Sequence, residues 1–293
     1  MPQPHPNRVL LIAGPTASGK SALALRIAHD ENGVIINADS MQVYRELRVL
    51  TARPSADDEA LVSHRLYGHV PGAEDYSVAR WQGDAMAEIN AAHSQSKLPI
   101  LCGGTGLYFM ALLQGLAALP AIDAGVREKW RGYESSLHDA LRARDPEMAA
   151  MLHPSDRQRL IRALEVIEST GQSLRTWQLQ ASDAAPLRQF EVQCWFKTAP
   201  RDALYARSAL RFEAMLEQGA LEEIRALPDL SPQQPLMKAI GVRELLAHVK
   251  GEMSLDDARR AVQTQTRNYI KRQLTWARSK MADWDIVQEG PAD

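Results

Sequence analysis

The sequence predicts an α/β fold, a parallel sheet flanked by helices and interrupted by a helical insertion, and three observations carry that expectation. The first is Gly14-Pro15-Thr16-Ala17-Ser18-Gly19-Lys20-Ser21, a G-x-x-x-x-G-K-S phosphate-binding loop between the apolar run Arg8–Ala13 and the helix-like run Ala22–His29. The second is that two more strand-like runs, Gly33–Ala38 and Leu98–Cys102, each open directly into a turn rich in functional groups. The third is the loss of strand-like runs between residues 116 and 187. Residues 1–115 and 188–293 are therefore expected to form the α/β core with a basic C-terminal helix, and residues 116–187 a helical insertion domain.

The loop sets the chemistry. Successive backbone N–H groups ending on a helix N-terminus hold a polyanion with partial positive charge. Lys20 adds a full charge, and Ser21 offers a hydroxyl to a Mg²⁺ ion bound between phosphate oxygens. The second strand runs into Asp39-Ser40-Met41-Gln42-Val43-Tyr44-Arg45 at the C-terminal edge of the sheet, where open α/β folds bind ligands. Asp39 is a candidate there, against the plainer reading that it caps a turn. His64 and His69 are assigned no role. Ser77 reads as an N-cap, with Val78, Trp81, Ala85 and Ile89 on one face of a helix ending near Ser96. The third strand delivers Gly103-Gly104-Thr105-Gly106, glycines that let a ligand approach the backbone and a hydroxyl to meet it.

In the insertion, helices are expected over Val126–Arg144 and Ser155–Thr170; the second carries Leu160, Leu164 and Ile167 on one face and Arg159 and Arg162 on another. Sheet character returns at Phe190–Phe196, and a helix follows from Pro200, a first-turn residue, to Leu216. Arg207 and Arg211 share a face of it and suit a forked grip on a diphosphate, unless Glu213 or Glu217 absorbs them. The last helix opens at Ser254. From Ala258 to Ala282 it carries Arg259, Arg260, Arg267, Lys271, Arg272, Arg278 and Lys280 with no acid, and Tyr269 and Trp276 are interleaved. Arg267, Lys271 and Arg278 fall within about 40° of one another, which suits a nucleic-acid backbone.

Composition narrows the classes. The 34 basic and 36 acidic residues give a formal charge of −2, so a nucleic-acid partner must be met by a local patch. Cys102 and Cys194 are expected to be buried thiols of a reduced cytoplasmic protein, not a disulfide or metal pair. The N-terminal MPQPHPN lacks a charged-then-apolar leader pattern, and no apolar run approaches the roughly 18–20 residues that cross a bilayer.

Taken in order, GPTASGKS from Gly14, DSMQVYR from Asp39, TARP from Thr51, GGTGLY from Gly103, HPSDRQRLIRALEV from His153 and TRNYIKRQLTWAR from Thr266 resemble the bacterial tRNA dimethylallyltransferases, also called tRNA isopentenyltransferases, over nearly the whole chain. The resemblance implies a P-loop NTPase-like core and transfer of a dimethylallyl group from its diphosphate to N6 of the adenosine 3′ of the anticodon. By matched position, the loop from Gly14 to Ser21 would hold the diphosphate or a nucleotide, with Lys20 balancing charge, Ser21 reaching Mg²⁺, and Arg211 clamping from across a channel beside Arg207. Asp39 would act as general base on the amine, Thr105 would position the acceptor, and Gln42 would hold the flipped base. The tRNA anticodon arm would meet Asp39, Ser40, Met41, Gln42, Thr105, Arg127, Gln158, Arg159, Leu160, Ile161, Arg162, Lys238, Gly241, Arg243, Arg267, Lys271, Arg272, Gln273, Trp276 and Arg278. A monomer is implied. Leu50 and Val242 depart from the pattern, standing where the family usually has Gly and Tyr.

Three other readings fit part of the chain. A P-loop small-molecule kinase explains the loop but not the basic helix; an adenylate isopentenyltransferase shares the chemistry but has little use for that helix; an RNA-binding ATPase leaves Asp39 to Gln42 without a task.

Overall fold

A computed structural model describes residues 7–117, 119–180, 185–228 and 231–288. Nearly all of the N-terminal MPQPHPN stretch lies outside them. The chain divides into two compact units, Met1–Met110 with Leu187–Asp293 and Ala111–Pro186.

In the first unit the described strands form one parallel sheet in the order β3-β2-β4-β1-β5-β6, made of β1 (Arg8–Ala13), β2 (Gly33–Asn37), β3 (His64–Arg65), β4 (Leu98–Gly103), β5 (Glu191–Thr198) and β6 (Asp285–Gln288). Strands buried on both faces read as continuous apolar runs, which is why β1, β2 and β4 were legible without alternation. Leu10, Ile12, Ile35 and Ile100 pack under α1 (Lys20–Asp30), which buries Leu23, Ala24 and Ile27. Leu11, Ile36 and Leu101, pointing the other way, are equally buried. The two edge strands escaped the sequence reading because β3 has two residues and β6 keeps three of four side chains exposed.

The register brings the functional turns together. Ala13 pairs with Gly103 and with Phe196, so the phosphate loop, the GGTG turn and the end of β5 leave the sheet side by side. Asn37 pairs with Cys102, which puts Asp39 beside them. The crossing helix α3 (Val78–Ser94), capped by Ser77, anchors this edge: Trp81 donates its indole N–H to the Asn37 carbonyl at 2.8 Å and stacks on Tyr108.

A second apolar cluster in the same unit joins α10 (Arg201–Glu217), α11 (Ala220–Arg225), α12 (Val242–Val249) and α13 (Leu255–Lys280) through Phe212, Ile224, Leu245 and Val262. Leu50 and Val242 both belong to this cluster. A Cβ on Gly241, itself left-handed at φ 95°, would stand 3.2 Å from Leu50 Cδ1, so the two departures from the family pattern fill one apolar space. Pro200 sits at the N-cap of α10 and not in its first turn.

The second unit is helical over its described residues and packs around Trp130, Leu141, Leu160 and Leu164. The single helix expected over Val126–Arg144 is corrected to α5 (Ala124–Arg131) and α6 (Leu137–Arg142), since Gly132 ends one and Ser136 caps the next. The short α7 (Pro146–Met151) follows, and α8 (Arg157–Thr170) runs from the Asp156 cap to left-handed Gly171, before α9 (Leu174–Gln180).

The closest approach at the sheet edge yields a test of the fold. A Cβ at Gly103 would lie 2.0 Å from the Ala38 carbonyl oxygen, a backbone atom with little freedom to retreat. Gly103→Ala should lower unfolding stability by about 1–3 kcal/mol, the range for overpacking, read as a drop in the urea midpoint at unchanged slope.

Candidate functional site

Ala17 and Gly19 take left-handed backbone (φ 63° and 83°), which curls the phosphate loop so that its N–H groups turn inward. The loop lies flat on the end of β5: a Cβ at Gly14 would stand 2.3 Å from the Lys197 carbonyl oxygen. Ser18 is fully buried, and its hydroxyl has no hydrogen-bond partner. Lys20 donates to the Pro15 carbonyl at 3.2 Å. Burial pulls the Lys20 ammonium below its ordinary value and nearby Arg211 adds to that, while Cys102 and Asp39 oppose it. The Ser21 hydroxyl is hydrogen-bonded to the Cys102 thiol, which burial pushes up to about 11.

Arg211, on α10, reaches across and donates to the Thr16 hydroxyl. Its guanidinium is depressed by burial, with Asp39 as the opposing charge. Neither expected acid absorbs it, since Glu213 is engaged by Arg259 at 3.1 Å. Arg207 stands exposed one turn earlier, and Ser208 takes the wall position beside Arg211.

Asp39 is held at its backbone by buried Asn37, whose Oδ1 accepts the Asp39 N–H at 2.8 Å and whose Nδ2 donates to the Asp39 carbonyl at 3.0 Å. Oδ1 of Asp39 accepts the Met41 N–H at 2.9 Å, so the residue does form the turn that the plainer reading expects. Oδ2 faces the glycine turn, 3.4 Å from where a Cβ on Gly104 would be. The Thr105 hydroxyl accepts the Ser40 N–H at 3.0 Å and is hydrogen-bonded to the Tyr269 phenol, whose ionisation burial and Asp39 push up.

The basic helix α13 closes the same edge. Gln273 accepts the Thr16 N–H and donates to the Gly104 carbonyl, each at 3.0 Å. Trp276 lies over Gly106, where a Cβ would meet its Nε1 at 2.2 Å. Two cavities result. One of about 360 Å³ is lined by Thr16, Arg211, Asp39, Met41, Lys238 and Phe212, among others. Another of about 300 Å³ is mainly apolar, with Phe109, Phe196, Trp276 and Met281 beside Gly14 and Thr105. Ser40, Tyr269 and Arg272 line both.

The remaining expected residues are placed variously. Gln42 gives its amide N–H groups to the Thr51 and Ala52 carbonyls, both at 2.9 Å, leaving only its oxygen for a base. Arg243 is occupied by the Met237 and Pro232 carbonyls, and Gly241 serves as a left-handed N-cap. In the second unit Arg127, Gln158 and Arg159 are exposed, Arg159 and Arg162 face Asp156 and Glu165 at 3.4 and 3.5 Å, and Ile161 packs partly on the core. Leu160 is corrected from a contact residue to a core residue, because its side chain is buried. On α13, Arg259 and Arg260 are paired with Asp256 and Asp257. Among the described residues no ion pair engages Arg267, Lys271, Arg278 or Lys280, so the unopposed charge is confined to the helix's second half. Sequence reasoning missed Phe109, Phe196 and Met281. Phe196 was findable as the last apolar residue of a strand ending at the ligand edge; Met281 gave no signal.

The chain matches the family described as IPP transferase over residues 42–280, and the family described as isopentenyl transferase over residues 7–70. It is 51% identical over 282 residues to a tRNA dimethylallyltransferase of Azorhizobium caulinodans, covering 94% of this chain and 90% of that protein. It is 50% identical over 291 residues to one of Rhodospirillum centenum, covering 96% and 91%. The full-length tRNA isopentenylpyrophosphate transferase of Bacillus halodurans superposes with TM-score 0.69 at 33% identity, over 98% of this chain and 91% of that one. A eukaryotic dimethylallyltransferase acting on tRNA superposes with TM-score 0.81 at 26% identity, over 96% and 74%.

The desolvated Lys20 separates ligand binding from stability. Because its folded value lies below the unfolded value of 10.5, the unfolded chain binds the extra proton between the two, and stability rises with pH through that window. Lys20→Met should remove that rise and leave the ligand-free melting temperature equal or higher. Affinity for inorganic diphosphate, followed by calorimetry, should fall by about 10- to 100-fold, as expected for a lost charged hydrogen bond.

Proposed function

The chain belongs to the tRNA dimethylallyltransferase family, and from that premise we propose that it transfers a dimethylallyl group from dimethylallyl diphosphate to the exocyclic N6 of the adenosine 3′ of the anticodon, releasing diphosphate. The observation that carries the reading is that Thr16 and Arg211, on the phosphate side, and the carboxylate-bearing Asp39 line a single cavity.

The residues divide the work by charge. An allylic carbon sheds diphosphate readily because the developing cation is delocalised, so the protein must stabilise the leaving charge and align the amine. Lys20, Arg211 and the loop N–H groups that follow Thr16, whose own N–H is held by Gln273, receive the diphosphate. Both cations are desolvated, which strengthens their attraction for it. An adenine amine is a weak nucleophile, and Oδ2 of Asp39 takes its proton as the C–N bond forms. Thr105, fixed by Ser40 and Tyr269, positions the acceptor.

The loop also fits Mg²⁺. The Ser18 hydroxyl is a buried polar atom without a partner, and Ser21, three residues further along, brings a second hydroxyl to the loop. No group of three acidic, histidine or cysteine side chains suited to a metal occurs among the described residues. A hard cation held by the Ser21 hydroxyl and the donor's own phosphate oxygens fits that donor set and would neutralise part of the diphosphate charge.

The RNA is met by the second half of α13 and, in the second unit, by the exposed Arg127 and Arg159 and the half-buried Arg162. The target base leaves its stack to reach Asp39, at a cost of about a few kcal/mol. No helix among the described residues is long and apolar enough to cross a membrane.

Purified protein with Mg²⁺, radiolabelled dimethylallyl diphosphate and unmodified tRNA should place label in the RNA and none in AMP; label in AMP alone would return the chain to the adenylate-modifying class. Asp39→Ala should lower the rate by about 10²- to 10⁴-fold, the usual range for a general base, with tRNA affinity retained. Near-parental turnover would remove the base assignment. Lys271→Ala should weaken tRNA binding and reduce its log-log salt slope by about one unit. A filter-binding titration at several salt concentrations reads it.

A further inference from the structure

Gln273 makes a contact that a residue on an RNA-facing helix has no need to make. Its Oε1 accepts the Thr16 N–H at 3.0 Å, and its Nε2 donates to the Gly104 carbonyl at 3.0 Å. Each partner abuts a group with a task in the reaction. Thr16 receives the Arg211 guanidinium on its hydroxyl, and Gly104 precedes Thr105, whose hydroxyl holds Ser40. One side chain thus spans the donor loop and the acceptor turn. Glutamine is suited to this because its amide donates and accepts at once without carrying charge toward a diphosphate. The fit is close: a Cβ on Gly104 would stand 2.4 Å from Nε2, so glycine there makes room for the amide. Lys271 lies two residues before Gln273, and Arg272, next to it, lines both cavities.

We propose that Gln273 is a positioning residue, a strut that fixes the phosphate loop relative to the GGTG turn and ties both to the helix that seats RNA. It touches neither reacting atom. It sets the distance between the donor's allylic carbon and the acceptor amine, and an RNA seated on α13 is brought into register with the loop through it. The inference rests on the transferase reading above and extends it to a residue acting through Thr16 and Gly104.

The test compares Gln273→Met, which keeps length and bulk but neither donates N–H nor offers a carbonyl, with Gln273→Ala. In single-turnover transfer of labelled dimethylallyl groups to an unmodified anticodon stem-loop, both variants should slow by about 10- to 100-fold, the scale of a small misplacement of reactants. Dissociation constants for dimethylallyl diphosphate and for the stem-loop, measured separately, should stay within about threefold of the parent, so the loss falls on the chemical step. Should the alanine variant loosen the fold in a thermal melt, the methionine variant carries the comparison. A methionine variant at parental rate would show that only packing matters at this position and overturn the strut. So would a rate loss matched by an equal loss of affinity for either substrate, which would make Gln273 a ligand contact. A parent that transfers no label refutes the transferase reading itself, a result separate from an active parent with an active methionine variant.

Discussion

Lys20 and Arg211 are held out of water at the same point, each with its ionisation lowered chiefly by burial, and Asp39 is the acidic side chain that opposes both. Two cations against one carboxylate leave the site short of negative charge before any ligand arrives. Burying charge is costly unless it is paired, so the fold tolerates this arrangement only because the rest of the structure enforces it. Sheet register is one enforcer: Ala13 beside both Gly103 and Phe196 leaves the loop no path except flat over β5, where Gly14 meets the Lys197 carbonyl. The helical cluster behind α10 is the other, since Phe212 and Met215, in the turn that follows Arg211, are buried in it and hold the helix from which the guanidinium reaches Thr16. On the proposed reaction an incoming diphosphate would supply the missing charge, and its departure with its negative charge, once the allylic bond breaks, is what the site would stabilise.

The acceptor side is built by hydrogen bonding instead. Asn37 is fully buried and uses its side chain on both backbone groups of Asp39, while its own carbonyl takes the Trp81 indole N–H. Asn37 is the last residue of β2 and Trp81 belongs to α3, so the sheet edge and the helix that crosses it together set the position of Asp39. One carboxylate oxygen is then spent on the Met41 N–H, which fixes the rotamer and leaves the other toward the glycine turn. A glutamate there would carry an extra rotatable bond past that anchor and lose the alignment. The capping reading and the functional reading of Asp39 are therefore not rivals. The cap aims the carboxylate that we propose as the base.

What the sequence disclosed follows the same division. The central strands, the phosphate loop and α1 were legible because they depend on local pattern, a buried apolar run or a glycine at a left-handed position. Arg211 was picked out by its i, i+4 spacing with Arg207, yet spacing could not tell which of the two faces the phosphate loop; the contact of Arg211 with Thr16 decides that. The helix expected over Val126–Arg144 failed for a local reason too, because Ser136 competes as a cap within a stretch of otherwise helical composition. Leu160 was carried along with its arginine neighbours although its own periodicity assigns it to the core. Met281 and Phe109 were invisible, since a cavity wall assembled from separate elements leaves no spacing to read.

The basic helix resolves into two parts with different physics. Its first turns spend their cations on acids, Arg259 on Asp256 and Glu213 and Arg260 on Asp257, and these pairs fasten α13 to α10 and to its own N-terminus. Beyond them the helix runs without an acid, and the described structure offers its cations no partner from other elements. A helix of 26 residues spans about 39 Å at 1.5 Å per residue and behaves as a rigid rod over that length. Fastening one half therefore fixes the other half in space. Arg272 stacks over Tyr269, whose phenol holds Thr105, so the wall of the cavity that Asp39 lines and the unpaired charge are parts of one element. On the RNA-binding role we propose for it, RNA along the second half would be located relative to Asp39 through the backbone of one helix. That economy explains why the charge is concentrated on this element while the chain as a whole carries only −2. The polyanion must be bound where its position is already determined.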